Sequence, residues 1–494
     1  MKIKDILSSQ KHVAPKRVLE LDFKKISYKK EKIEQDSVYF HLNPKKYSIG
    51  SIFENEEQIK PVAIIGDGDE SEEIFGIPYI KTENARAALS HAYSAFCGID
   101  YSSLKFIGIT GTNGKTTTAH LINEILKSEG KRTGVIGTGK IEILGETVSS
   151  FDYSMTTPDP DVLFPSIKRM QADGCEYVIM EVSSHALSFE KVCPITFDIG
   201  IFTNLSHEHL DFHITMEEYY KSKLKLFGRC KLGIFNIDDE YGRRAYTEAP
   251  CKKESVGVLW DADAVAKEPK LKGFSGSSYL YREKDFIFKM NLPLVGAHNI
   301  YNSLCAIKAA VASGCRPCVA KRTLEKVAPP DGRFFVIDDE ISVIIDYAHT
   351  PAAMENTLKI INTAKKAEQK LICVFGCGGE RDKAKRPLMG SIGERLADFV
   401  ILTEDNSRGE DAINILNEIA SGISDKSKTA TIPKRTDAIE NAVLNADKGT
   451  VIAILGKGAE KYNIDSKGIR AYSDEDTVRK ALLRRKELTR RNEG

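Results

Sequence analysis

The stretch Phe106-Ile-Gly-Ile-Thr-Gly-Thr-Asn-Gly-Lys-Thr-Thr-Thr118 decides the fold. An apolar strand runs into a glycine turn, after which Lys115 and three threonines open a helix. The apolar residues of this helix recur at helical spacing: Ala119, Leu121, Ile122, Ile125 and Leu126. Backbone N–H groups and the dipole at a helix N-terminus favour an anion, and Lys115 adds a positive charge for outer phosphates. We therefore predict a phosphate-binding loop, in which Thr116 can coordinate Mg²⁺.

This loop is a short variant of the common phosphate-binding pattern, which has a glycine where this chain has Ile109. The alternative is a tight strand-to-helix turn that needs glycine only for its backbone geometry. A Lys-Thr-Thr run after the turn has no purpose in folding, which favours phosphate binding. Gly130 is placed to end the helix.

Length and composition narrow the class of protein. The 494 residues are 41% apolar and 29% charged, with a net charge of +1, so we expect several domains and no general attraction to nucleic acid or acidic membranes. No apolar run approaches the roughly 20 residues that span a bilayer, and the N-terminus lacks a signal-peptide core. We expect a cytoplasmic monomer with reduced thiols. Cys315-Arg-Pro-Cys318 has redox or zinc spacing, but no second pair completes a metal site, so we interpret it as a loop.

Strand and helix patterns alternate along the chain and predict an α/β fold of three domains. We predict a small N-terminal α/β domain over 1–103 and a central domain over 104–330, whose mostly parallel sheet has helices on both faces. A Rossmann-like C-terminal domain follows over 331–494, after a linker that begins at Ala328. The predicted strands are 37–42, 62–65, 77–80, 106–109, 134–136, 177–182, 199–203, 232–236, 343–346, 371–375, 399–403 and 451–455, and 85–96 is a predicted helix.

Polar residues after the central strands are candidates for chemistry, because ligands bind at the carboxyl ends of parallel strands. Glu181 can hold Mg²⁺ or cap a helix, and His209 can be a ligand or a loop residue. Lys223 lies among alternating lysines, which usually form a solvated helix face. Asn299 and Asn302 occupy adjacent helical turns, where they suit an adenine edge or a cap at the helix start.

Seven motifs in this order resemble the Mur ligase family of peptidoglycan synthesis, and within it the branch that makes the UDP-N-acetylmuramoyl-tripeptide. They are Gly111-Thr-Asn-Gly-Lys-Thr-Thr117, Glu181-Val-Ser-Ser-His185, Thr203-Asn-Leu with His209-Leu-Asp, Asn299 with Asn302, Asp346-Tyr-Ala-His-Thr-Pro351, Phe375-Gly-Cys-Gly-Gly-Glu-Arg-Asp-Lys383 and Gly456-Lys-Gly458. The resemblance covers 104–494 well and the first hundred residues only loosely.

The resemblance implies an ATP site, two Mg²⁺ ions and a lysine carbamate made from CO₂. The residues implied for ATP are Gly111, Thr112, Asn113, Gly114, Lys115, Thr116, Thr117, Asn299, Asn302, Arg333 and Asp346. One Mg²⁺ would lie at Thr116 and Glu181, and the other at Glu181, His209 and carbamylated Lys223. A carbamate converts an ammonium, which cannot bind Mg²⁺, into a hard oxygen anion that can.

The implied reaction is ATP-driven ligation of a diamino acid to UDP-N-acetylmuramoyl-L-alanyl-D-glutamate through an acyl phosphate. Lys115 and the metal ligands Glu181, His209 and Lys223 would carry the catalysis. The residues implied for the nucleotide-peptide substrate are Leu21, Thr156, Thr157, Ser183 and Lys191. Those implied for the amino acid are Arg381, Asp405, Asn406, Arg408, Gly456 and Glu460.

The identity of the amino acid depends on Arg408, which can hold a carboxylate with two hydrogen bonds. meso-Diaminopimelate has a distal carboxylate that L-lysine lacks, so Arg408 favours diaminopimelate; lysine-adding relatives can also keep this arginine. A related ligase with another acceptor, such as a folylpolyglutamate-synthase-like enzyme, and a nucleotide-binding protein without catalysis are the alternatives. Four positions depart from the family pattern and concern substrate recognition: Phe23, Lys191, Ser407 and Ala459.

Overall fold

The computed structural model describes residues 1–42, 49–53, 59–68, 72–150, 155–206, 210–284 and 286–493. Helices and strands alternate through these residues, and parallel pairing predominates in their larger sheets. The predicted α/β class is therefore confirmed. Within the described residues, every helix is too short or too polar to span a lipid bilayer.

The first part of the chain forms a small sheet with the strand order β1-β6-β4-β3-β2. Its strands are β1 (His12–Val13), β2 (Lys25–Ser27), β3 (Ser37–His41), β4 (Ala63–Gly66), β5 (Glu73–Ile74) and β6 (Ile77–Thr82). Its helices are α1 (Ile3–Leu7), α2 (Lys16–Leu19), α3 (Gly50–Phe53) and α4 (Ala85–Cys97). The predicted strands at 37–42, 62–65 and 77–80 and the predicted helix at 85–96 are confirmed to within a few residues.

The middle of the chain forms a larger sheet, in which β10-β9-β8-β11-β7-β12-β13-β14 are neighbours in this order. The strands are β7 (Lys105–Thr110), β8 (Thr133–Gly137), β9 (Lys140–Ile143), β10 (Glu146–Ser150), β11 (Tyr177–Glu181), β12 (Phe197–Phe202), β13 (Cys230–Asn236), β14 (Lys252–Gly257), β15 (Ala264–Leu271), β16 (Ser277–Glu283) and β17 (Phe286–Leu292). The helices are α5 (Lys115–Ser128), α6 (Pro160–Ala172), α7 (Ser184–Ser188), α8 (Leu210–His213), α9 (Met216–Leu224), α10 (Glu240–Glu248), α11 (Ala297–Ala312) and α12 (Pro317–Leu324).

The last part of the chain contains a sheet with the order β18-β19-β23-β20-β21-β22 and a hairpin of β24 and β25. The strands are β18 (Phe335–Asp338), β19 (Ser342–Asp346), β20 (Leu371–Phe375), β21 (Phe399–Leu402), β22 (Thr429–Thr431), β23 (Val451–Leu455), β24 (Tyr462–Asp465) and β25 (Gly468–Ala471). The helices are α13 (Pro351–Ala364), α14 (Lys385–Leu396), α15 (Ala412–Ala420), α16 (Arg435–Asn445) and α17 (Asp474–Glu493). The predicted strands of this region are confirmed, and Cys318 belongs to α12 rather than to a loop.

The backbone separates into two compact units. One contains Met1–Val265 and Tyr301–Ala320, and the other contains Ala266–Ile300 and Lys321–Gly494. The first unit joins the small sheet to the larger one because buried side chains of both, such as Phe40 and Phe106, belong to one continuous core. The division into three domains at 103/104 and 330/331 stays a prediction.

Candidate active site

The strand register of the larger sheet brings distant polar residues to one edge. β7 lies between β11 and β12, and all three run parallel. Ile109 pairs with Glu181, and Thr110 pairs with Phe202, the residue before Thr203. Glu181 and Thr203 therefore lie at the carboxyl end of β7, where the predicted phosphate loop begins.

Two glycines of the loop are required by close contacts as well as by backbone geometry. Gly111 has φ 145° and Gly114, at the start of α5, has φ 85°. A side chain at Gly111 would overlap the hydroxyl of Thr203, and one at Gly114 would overlap the amide of Asn302. The predicted helix after the loop is also confirmed: α5 ends at Ser128, and Gly130 follows with φ 80°.

The loop is held in its curved form by the residues that follow β12. The N–H groups of Thr112 and Asn113 donate to the backbone and side-chain oxygens of Asn204, each at 2.9 Å. Thr203 Oγ1 donates to the Asn113 carbonyl at 2.7 Å. Lys115 Nζ donates to the carbonyl of Thr112 at 2.8 Å, so its ammonium lies against the loop.

Thr116 and Glu181 form the pair predicted to hold Mg²⁺. Thr116 Oγ1 donates to Glu181 Oε2 at 2.9 Å, and Glu181 is only 2% exposed. Thr138, which sequence analysis did not single out, donates its backbone N–H to Glu181 Oε1 at 3.1 Å. A buried carboxylate beside a hydroxyl offers the hard oxygen ligands that Mg²⁺ prefers, so these residues fit the ion. Thr138 could have been found from its place just after β8, a strand of the same sheet.

The second implied metal site is only partly described. His209 lies outside the described residues. Lys223 is 1% exposed, and its Nζ donates to the Gly111 carbonyl at 2.8 Å and lies 4.6 Å from the centre of the Tyr219 ring. The expectation of a solvated lysine face is therefore wrong for Lys223. Among the described residues, no group of three or more His, Cys, Asp or Glu side chains could hold a metal ion.

Residues implied for the nucleotide-peptide substrate meet beside Glu181. Thr157 Oγ1 donates to the Glu181 carbonyl at 2.9 Å and accepts from the N–H of Ser183 at 3.1 Å. Thr156 Oγ1 accepts from Thr138 Oγ1 at 3.5 Å. Four of the five residues implied for this substrate thus share one region, because Lys191 also lies 3.4 Å from the Thr157 carbonyl.

The fifth residue implied for this substrate belongs to the N-terminal part of the chain. Leu21 accepts a hydrogen bond from the N–H of Ile3 at 3.1 Å through its carbonyl. Lys191 forms an ion pair with Asp159 at 2.7 Å. A lysine ammonium lacks the planar fork with which the arginine usual in the family could bind a carboxylate through two hydrogen bonds. Lys191 accordingly meets Asp159 through its single ammonium.

The two asparagines of α11 have different local roles. Asn302 Oδ1 accepts from Thr118 Oγ1 at 3.4 Å, which connects α11 to the helix that follows the phosphate loop. Asn299 lies in the first turn of α11, and its Nδ2 donates to the Val295 carbonyl at 2.8 Å. Adenine binding and helix capping both stay predictions for these residues.

Arg333 lies in the predicted linker, which has no regular structure, and Asp346 is the last residue of β19. Asp346 accepts from the N–H groups of Phe334 and Ala348 at 2.7 and 3.0 Å, and from Thr357 Oγ1 at 3.1 Å. Burial raises the pKa of Asp346 despite these bonds. The Arg333 guanidinium lies 5.0 Å from the ring centre of Tyr347.

The residues implied for the amino acid converge after β21 and β23. Asn406 Nδ2 donates to Glu460 Oε2 at 2.8 Å. Gly456 has φ 114°, and a side chain there would approach Asp405 Oδ2 to 2.8 Å. These four predicted residues come from two separate loops, and Arg408 joins them because its Nη1 donates to the Asn406 carbonyl at 3.3 Å.

The arginines of this implied site lie in neighbouring loops. Arg408 has φ 52°, and its Nη1 donates to the Gly379 carbonyl at 2.8 Å. Gly379 lacks a side chain where the Ser407 carbonyl packs against it, so the glycine-rich loop after β20 and the 405–408 loop fit closely. Arg381 follows in that glycine-rich loop.

Known proteins match this chain over nearly all of its length. Residues 109–310 match the Mur ligase middle domain, and residues 332–458 match the Mur ligase glutamate ligase domain. A relative from Clostridium tetani, named UDP-N-acetylmuramoyl-L-alanyl-D-glutamate--2,6-diaminopimelate ligase, is 36% identical over 490 residues, which are 98% of this chain and 99% of the relative. The chain belongs to the Mur ligase family.

Two further proteins are similar to this Mur ligase. A relative of the same name from Aquifex aeolicus is 38% identical over 93% of either chain. A solved structure with this name superposes with a TM-score of 0.68 at 27% identity and covers 98% of each chain. The resemblance predicted from seven motifs is therefore confirmed.

Proposed function

We propose that this Mur ligase uses ATP to join meso-diaminopimelate to UDP-N-acetylmuramoyl-L-alanyl-D-glutamate. The observation that carries the proposal is the Thr116–Glu181 pair, 2.9 Å apart at the mouth of a preformed phosphate loop. Relatives that match 98% and 93% of the chain are named for this reaction, which supports the choice of substrates.

The phosphate loop is suited to bind ATP and to offset the charge of the transferred group. The loop N–H groups and Lys115 would hold the outer phosphates, and Thr116 with Glu181 would hold Mg²⁺. When bound, the metal neutralises charge on the phosphates. The D-glutamate carboxylate takes the γ-phosphoryl group and ADP leaves. The amine of the diamino acid then displaces phosphate and loses a proton to form the amide.

Arg408 and the buried carboxylates after β21 and β23 supply the proposed specificity. The Arg408 guanidinium is suited to the distal carboxylate of diaminopimelate, and its backbone contacts hold it in place. Asp405 and Glu460 would take an ammonium of the same molecule. L-Lysine offers the ammonium but lacks the distal carboxylate, so the geometry supports diaminopimelate over lysine.

The test is ATP-dependent phosphate release with UDP-N-acetylmuramoyl-L-alanyl-D-glutamate and a panel of amino acids. We expect release with meso-diaminopimelate, at least about 100-fold more efficient than with L-lysine. Release with lysine but not diaminopimelate would overturn the role of Arg408. Absence of release with every acceptor would overturn the proposed reaction.

We further propose that the enzyme works as a cytoplasmic monomer and that 1–103, 104–330 and 331–494 are its functional domains. Size-exclusion chromatography with light scattering tests the monomer, since a dimer would have twice the mass of 54.9 kDa. Expression of 1–330 as a folded, nucleotide-binding fragment would support the boundary before 331.

A further inference from the structure

Lys457 is a fully buried lysine at the centre of the implied amino-acid site, and nothing in the motif comparison gave it a role. It lies between Gly456 and Gly458 in the loop after β23. Its side chain is 0% exposed. Burial of a lysine is costly unless its ammonium is paired and hydrogen-bonded, so its partners indicate its purpose.

The Lys457 ammonium contacts both loops of the site. Nζ donates to Asn406 Oδ1 at 2.8 Å, to the Tyr462 carbonyl at 3.1 Å and to Glu460 Oε2 at 3.3 Å. It also lies 3.5 Å from Asp405 Oδ1. Three of the residues implied for amino-acid binding are thus held by one cation that is itself inaccessible to solvent.

The contact with Asn406 determines the orientation of that amide. Asn406 Oδ1 accepts from Lys457 and from the N–H of Ile464, at 2.8 and 2.9 Å. Its Nδ2 then faces Glu460 and donates to it. Reversal of the amide would place an NH₂ group against two donors, so Lys457 stabilises one orientation.

The charge balance of the cluster gives Lys457 a second effect. Asp405 and Glu460 are two buried carboxylates, and Lys457 lies against both of them. One ammonium leaves this group of three with a net charge of −1, which suits a single substrate ammonium. Without Lys457 the two carboxylates would repel each other and tend to share a proton.

We propose that Lys457 is the positioning residue of the amino-acid site, and that its buried ammonium sets the geometry and charge of Asp405, Asn406 and Glu460. The inference rests on the proposed function, because it concerns binding of the diamino acid. Lys457 would act through these three residues and would not touch the substrate.

Titration offers a way to see the charge effect. Burial and the nearby Asp405 raise the pKa of Glu460, while Lys457 opposes the rise. Burial also acts to raise the pKa of Asp405, but Lys457 and then Arg435 outweigh it, and the pKa is lowered. Loss of Lys457 should therefore raise both values. Among the described residues, the other ionisable groups that face this pair include Tyr347, His349, Cys377 and Arg435.

The experiment measures KM for meso-diaminopimelate and for ATP in Lys457→Met and Lys457→Gln across a range of pH. We expect KM for the amino acid to rise about tenfold at pH 7, with KM for ATP within about twofold. The pH below which the amino-acid KM rises should move upward by about one to two units. The glutamine side chain keeps a hydrogen-bond donor but has no charge. Lys457→Gln therefore tests the charge effect if Lys457→Met fails to fold.

Matched controls separate this role from simple destabilisation. Lys308 is another buried lysine, 3% exposed, which pairs with Glu254 at 2.8 Å in the other compact unit. Lys308→Met should lower stability without a change in the pH profile of the amino-acid KM. Lys457→Arg keeps the charge and should keep the wild-type profile.

The inference and the proposed function fail in different ways. An active wild-type enzyme whose Lys457→Gln variant keeps the wild-type pH profile would overturn the inference alone. Equal increases in both KM values would also overturn it, since they indicate general distortion. A wild-type enzyme that releases no phosphate with any acceptor would overturn the proposed function, and the inference would fall with it.

Discussion

Replacement of Glu181 by glutamine should separate the metal-binding role of this residue from its structural role. The Glu181 carboxylate accepts from Thr138 N–H at 3.1 Å through Oε1, and from the Thr116 and Thr138 hydroxyls at 2.9 and 3.3 Å through Oε2. A glutamine can keep its oxygen toward the N–H group, which cannot turn. Its NH₂ group can then face the two hydroxyls, which can rotate to accept.

This geometry sets the expected magnitudes. Glu181→Gln keeps the hydrogen bonds but loses their charge, so we expect it to cost at most about 1 kcal/mol of unfolding free energy. Glu181→Ala leaves the partly buried Thr138 N–H group without its acceptor and should cost about 2–3 kcal/mol. Both variants lose the anionic ligand, so kcat should fall at least about 100-fold and the Mg²⁺ requirement should rise about 10- to 100-fold.

The assays are ATP-dependent phosphate release over a series of Mg²⁺ concentrations and unfolding in urea. Glu283→Gln is the control, because Glu283 is 5% exposed, accepts from Tyr281, and is not among the predicted site residues. It should keep kcat within about twofold. The metal-binding role of Glu181 would be refuted if Glu181→Gln kept kcat within about threefold at the same Mg²⁺ requirement.

Three other predictions concern the phosphate loop, Glu410 in the C-terminal part and the buried Lys223. Gly114→Ala should lower phosphate release about 100-fold, because its side chain would overlap the amide of Asn302 at a backbone φ of 85°. The control is Gly130→Ala, which has a similar φ of 80° but open space around it. It should cost only about 1–2 kcal/mol of unfolding free energy in urea and leave activity within about twofold. Hydrogen bonding from Arg386 lowers the pKa of Glu410 from its ordinary 4.5 to about 2, so the ionised Glu410 contributes fully to stability above pH 4.5 and loses this contribution as the pH falls toward 2. The urea midpoints at pH 5 and pH 3 should therefore differ less in Glu410→Gln than in the wild type. An equal difference in the two proteins would contradict this prediction. ¹³C NMR with ¹³C-bicarbonate, Mg²⁺ and ATP should show a carbamate signal that Lys223→Met lacks, and a wild-type enzyme without the signal would disprove the carbamate.

Local patterns in the sequence predict the helices, the strands and the phosphate loop. The spacing of apolar residues in α5 and the glycine that follows it predict the helix and its end, because helical period and backbone freedom depend on near neighbours alone. The predicted strands agree with the structure for the same reason. The place of Glu181 at the end of a central strand made it a candidate Mg²⁺ ligand, and family resemblance added Asn406 and Glu460; the structure places all three in the two candidate sites.

Only the tertiary structure decided which polar side chains are buried and which side chains from distant parts of the sequence lie next to each other. Lys223 has the sequence environment of a solvated lysine, yet it is 1% exposed beneath Gly111 because the order of the strands brings α9 to the loop. Thr138 follows β8 and Lys457 lies in a glycine motif, but neither position identifies its partner, and their roles arise from neighbours 43 and 51 residues away in sequence. The sequence by itself determined which segments are strands, helices and loops; the pairing of distant strands, driven by burial of their apolar faces, determined which polar side chains meet.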